Sequence, residues 1–146
     1  MTREVPPTIA STVGAIISSI RRVLYVFQGI TNTTVGALEL EFDDGRTILV
    51  DSGGDGESLS VVTHAWKDPF ADDLSAENRD FVAKSGKWTS VDVSRDPEYA
   101  HFIGAKVNTA EPIQAPNGKI VGVLFWTSTG NIRAEVEADD LYVQVD

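Results

Sequence analysis

The stretch Ala37-Leu-Glu-Leu-Glu-Phe-Asp-Asp-Gly-Arg-Thr-Ile-Leu-Val50 decides how this chain folds. From Ala37 to Phe42 apolar and acidic side chains alternate, the period of a strand with one face buried. Asp43-Asp44-Gly45 supplies residues that tolerate the backbone of a tight hairpin turn. Arg46 to Val50 returns as the partner strand. Beyond the Gly/Asp-rich segment 51–57, Ser58 to Val62 reads as a third strand, completing an antiparallel meander.

Outward from this meander the pattern changes twice. Towards the N-terminus, Arg22 to Phe27 is another strand. Ile9, Val13, Ile16, Ile17 and Ile20 carry helical spacing, whereas the β-branched content and Gly14 argue for extended chain. The spacing favours helix over 9–20, with strand as the alternative. Pro6 and Pro7 delay the first element, so residues 1–8 read as a frayed start. Towards the C-terminus, residues 65–104 read as a helical insert. Ser75 caps one helix that ends at Gly86, with Phe81 and Val82 as its buried edge. Asp96-Pro97 opens a second, closed by Gly104, with Tyr99, Phe102 and Ile103 on one face. Trp88 to Val93 is a short strand between them.

Lys119 to Trp126 is continuously apolar, like a central strand covered on both faces. Ile132 to Val136 and Leu141 to Val145 follow, separated by turns at Thr129-Gly130-Asn131 and Asp139-Asp140. The series Gly36…Gly45…Leu59-x-Val61 echoes Gly122…Gly130…Leu141-x-Val143. The expected architecture is a single α+β domain over 1–146: a mostly antiparallel sheet built from two β-meanders with the helical insert between them.

Composition narrows the function. The chain has 146 residues, no cysteine, and 22 acidic against 12 basic residues for a net charge of −10. Thiol chemistry and cysteine-held zinc are excluded, and so are disulfides. The charge disfavours nucleic acid and anionic membrane, because the cationic contacts that dominate such binding are in deficit. The acidic residues read first as a solvated surface that keeps the chain soluble, and more sharply as a negative face that steers a basic protein partner into contact. The apolar run 9–20 is too short to span a bilayer and lacks the marks of a signal peptide, which points to the cytoplasm.

Asp51-Ser-Gly-Gly54 invites two catalytic readings. Chymotrypsin-like peptidases place their histidine ahead of the serine, but His64 and His101 both follow Ser52, so that reading fails. "ILVDSG" (48–53) resembles the active-site strand of retroviral-type aspartic peptidases, with Asp51 in the catalytic position, and Phe102-Ile103-Gly104 resembles their second landmark. That resemblance implies a dimer in which two such aspartates share a proton. Gly54 replaces the usual alanine, and helices stand where the glycine-rich flap belongs. The plainer reading is a turn in which Asp and Gly serve the backbone. The segment also lacks calcium-loop ligands at Gly53 and Val62, and no G-K-[ST] follows to make a phosphate loop. No metal or cofactor site is expected.

His64-Ala-Trp66-Lys-Asp68-Pro-Phe70-Ala-Asp72-Asp73 looks like recognition. Trp66 and Phe70 have the character of anchors, and Asp68, Asp72 and Asp73 that of steering charges. The alternative is that both aromatics cover the core of the insert. Finally, "GALELEFDDGRTILVDSGGDGESLSV" (36–61) resembles the β-meander of small bacterial immunity proteins of polymorphic toxins. The resemblance implies a non-enzymatic inhibitor that blocks a basic partner such as a toxin. It carries no catalytic residue across.

Overall fold

The computed structural model describes residues 5–68 and 75–146. Nine strands form one sheet among these residues: β1 (Ile17–Phe27), β2 (Ile30–Phe42), β3 (Thr47–Ser52), β4 (Leu59–Val62), β5 (Lys87–Asp92), β6 (Val107–Gln114), β7 (Ile120–Thr127), β8 (Gly130–Glu137) and β9 (Asp140–Val145). The helices are α1 (Pro7–Ala10) and α2 (Ala76–Ser85), with a 3₁₀ turn at Ala100–Phe102. The fold is α+β with a mostly antiparallel sheet, and both meanders are present as β2–β3–β4 and β7–β8–β9.

Their junction lies on the long strand β2. One edge of β2 pairs with β1 from Ile17↔Phe42 to Phe27↔Ile30. The other edge is shared: Leu38 to Glu41 pair with β3, and Val35 pairs with Tyr142 of β9. The sheet thereby curls into a half-barrel. Backbone bonds from Gly14 to Val107 O (2.8 Å), Val107 to Ala15 O (2.9 Å) and Gly104 to Ile17 O (2.7 Å) stitch the segment ahead of β1 to the start of β6.

Inside the curl, Ile17, Leu38, Leu40, Phe42, Phe102, Phe125 and Ile132 are essentially inaccessible to solvent. Each contributes about 1.5–3 kcal/mol by leaving water. The alternation read from Ala37 to Phe42 is real, but its acidic side is not uniformly wet. Glu39 is 3% exposed.

Several expectations are corrected. The segment 9–20 is not one helix: a single turn at Pro7–Ala10 buries Ile9, Gly14 adopts φ +89°, and the β-branched run becomes strand. Val5 packs on the core, so the chain is already ordered within the stretch expected to fray. The second insert helix shrinks to the 3₁₀ turn, with Tyr99 and Phe102 buried and Ile103 turned outward. The first is present, and the Ser75 side chain accepts the Asn78 N–H, but α2 buries no residue and Phe81 is 53% exposed. Two adjacent apolar side chains make too narrow a stripe to bury a helix face. β7 is central in pairing but covered on one face, since Trp126 is 42% exposed. Among the described residues no helix is long and apolar enough to cross a membrane, a statement that concerns helices alone.

Candidate functional site

The convex face of β5–β1–β2–β3 carries the candidate site. Strand registers place Arg21 opposite Glu39, Val23 opposite Ala37, Glu39 opposite Leu49 and Tyr25 opposite Trp88 on this face. Trp66 lies over Val23, Ala37 and Leu49, forming a small second core outside the half-barrel. Its backbone N–H donates to Glu39 Oε1 at 2.9 Å, and the other Glu39 oxygen pairs with Arg21. Two residues on, Asp68 and Lys87 form an ion pair at 2.5 Å. Together these fix the path of the loop after β4.

α2 forms the opposite wall. The buried Gly86 ends it at φ +75°, and a Cβ there would stand 2.6 Å from Val26 O, so only glycine lets the helix end come so close to β1. Between helix, loop and sheet opens a cleft of about 520 Å³. Its aromatic lining is Tyr25, Trp66, Phe81 and Trp88. Tyr25 and Trp88 meet edge to face, centroids 5.4 Å apart. Trp88 is 42% exposed, so part of this aromatic surface is open to solvent.

The charges at the cleft are mostly negative. Asp51 comes from the end of β3, Asp139 from the β8–β9 turn and Asp140 from the first position of β9. That turn holds Ala138 at φ 49° and Asp139 at φ 71°, the left-handed pair of a tight hairpin. It is docked by the Asp139 N–H to Gly56 O bond of 3.0 Å, and a side chain at Gly56 would collide with the Asp139 carboxylate. Asp51 is half-buried, and desolvation raises its pKa above the ordinary value, opposed by a hydrogen bond from the Ser52 N–H. Among the described residues none of these three carboxylates has an ion-pair partner, while the one cation lining the cleft, Lys87, is paired with Asp68.

The stretch 51–58 thus divides in two. Asp51 and Ser52 still belong to β3, with Asp51 paired to Ser60. Asp55 is the turn residue: its carboxylate accepts Glu57 N–H (2.9 Å), Ser58 N–H (2.8 Å) and the Ser58 hydroxyl (2.7 Å). These bonds, with Lys119 alongside, hold the Asp55 carboxyl well below the usual carboxylate range.

Of the residues singled out in the sequence, Asp51 and Trp66 both line the cleft, and Asp68 stands behind it in the pair with Lys87. Phe70, Asp72 and Asp73 lie outside the described residues. His64 and His101 are exposed, and neither shares a hydrogen bond with Ser52. No group of three His, Asp or Glu residues among the described ones is placed to hold a metal ion. Sequence reading passed over Tyr25, Trp88, Glu39 and the pair Asp139/Asp140 as site residues. Only the last left a signal, as an acidic hairpin turn; the rest depend on strand register.

Compared with family models, curated proteins and solved structures, the chain matches none.

Proposed function

We propose that this chain is a non-enzymatic protein-binding domain of the inhibitory, immunity-like kind, which captures a basic protein through the face around the cleft. One observation carries the reading. Three carboxylates without ion-pair partners among the described residues converge on an aromatic surface, in a chain of net charge −10. Aromatic side chains give anchoring area at small entropic cost, and acidic groups of one sign accelerate encounter with a cationic partner.

The test is capture of a partner on the tagged chain at low salt, followed by association kinetics with the purified pair. A basic partner should bind with a rate that falls as salt rises, and Asp139→Lys with Asp140→Lys should slow association by about tenfold. A neutral partner, or kinetics indifferent to salt and to the charge reversal, overturns the reading.

A second reading, a dimeric aspartic peptidase, is favoured by the half-burial and raised pKa of Asp51 alone. It predicts acid-optimal peptide cleavage abolished by Asp51→Asn. A monomer in solution with no such cleavage removes it.

A further inference from the structure

The cleft is specific in what it can accept. Its lining combines two tryptophans, a tyrosine and a phenylalanine with an excess of negative charge. Aromatic faces attract cations through the ring quadrupole, most strongly for Trp, and more so where water is partly excluded. A carboxylate half removed from water gains most from a partner that forms two parallel charge-assisted bonds. The ligand that answers both is planar, cationic and apolar on its faces. Guanidinium meets these conditions better than ammonium, which is a compact and strongly hydrated charge. Lys87 does not oppose such a guest, because Asp68 already neutralises it at 2.5 Å. A volume of about 520 Å³ exceeds what one side chain fills, leaving room for the backbone that bears it.

We propose that the cleft is a receptor for an arginine side chain of the basic partner, the guanidinium stacked on Trp66 or Trp88 and paired with Asp51, with Asp139 and Asp140 drawing it in from the rim. This rests on the binding function proposed above and names the group recognised.

The three tryptophans make the test internal. Trp66 and Trp88 line the cleft, whereas Trp126 lies on the far meander. The ¹⁵N-labelled full chain is titrated with acetyl-Gly-Arg-Gly-amide and with the same peptide carrying citrulline, which keeps arginine's shape without its charge. The Trp66 and Trp88 indole signals should move saturably with the arginine peptide, and Trp126 should stay still. Citrulline should weaken binding by about tenfold or more, and so should Asp51→Asn, with Asp139→Asn as a second variant in an exposed turn. Equal binding of the citrulline peptide, a uniform shift of all three indoles, or no saturable shift overturns the assignment. If a basic partner is still captured through Asp139 and Asp140 while the arginine peptide fails, the binding function stands and the arginine pocket falls. If the peptide binds as stated and no basic partner exists, the pocket stands and the inhibitory function falls.

Discussion

Glu39 receives the Trp66 backbone N–H at 2.9 Å while its other oxygen engages Arg21, so a single buried carboxylate joins the sheet to the loop that walls the cleft. Arg21 is 32% exposed and Glu39 only 3%. Glu39→Ala leaves the amide unpaired and the guanidinium with only its longer pair to Glu41 at 3.7 Å, and should cost about 2 kcal/mol. Glu39→Gln keeps an acceptor for Trp66 and should cost less. Urea denaturation measures both, and a displacement of the Trp66 indole N–H signal in the alanine variant, with Trp126 unmoved, reports release of the loop.

Arg22 is 3% exposed and donates to three uncharged oxygens: Gly36 O at 3.1 Å, Ala37 O at 3.2 Å and the Tyr99 hydroxyl at 3.0 Å. It ties β1, β2 and the 3₁₀ turn together. Arg22→Met should destabilise by about 2 kcal/mol and Tyr99→Phe by about 1 kcal/mol. Because the two share a bond, the double variant should lose less than the sum, which a double-mutant cycle reads directly.

The close approach at Gly86 gives a sharper outcome. Alanine there meets both an unfavourable φ of +75° and the Val26 carbonyl. Gly86→Ala should cost about 2 kcal/mol or more, and faster hydrogen exchange in α2 and at the β1–β5 edge should locate the damage.

Two aspartates four residues apart should respond oppositely to pH. The Asp51 pKa is raised by burial from 3.8, so the folded chain holds that proton more tightly than the unfolded chain. Its charge therefore lowers stability as pH rises through the window between 3.8 and the raised value. Asp51→Asn should raise Tm at neutral pH, with the difference closing on acidification. The Asp55 pKa is lowered by its hydrogen bonds, so its contribution is present above 3.8 and is lost as pH falls through the depressed value. Asp55→Ala should lower Tm at neutral pH and matter less in acid. Thermal melts across the range compare the two, and parallel behaviour would contradict both.

What was legible in the sequence was the local pairing chemistry. Alternation over Ala37–Phe42 and the turns at Asp43–Gly45 and Thr129–Asn131 placed both meanders, because adjacent strands are encoded within a few residues. The reading failed where distant backbone decides. Ile9 to Ile20 has helical spacing, yet its amides and carbonyls find partners on residues 104–107, about ninety positions away. The cleft was half legible: Asp51 and Trp66 sit in conspicuous stretches, but Trp88 joins Tyr25 only because β5 returns to pair with β1. A buried glutamate in an alternating acidic strand is invisible until its opposite residue is known to be arginine.

The stitch between residues 14–17 and the start of β6 has a consequence for how fast the chain folds. Each meander closes over short loops, whereas this seam joins residues about ninety positions apart and the Val35↔Tyr142 pairing of β2 with β9 joins residues further apart still. Loop-closure entropy grows slowly with length, but topology of this kind places the molecule among slow folders. A half-barrel whose long-range pairings have yet to close leaves its apolar interior open to other molecules.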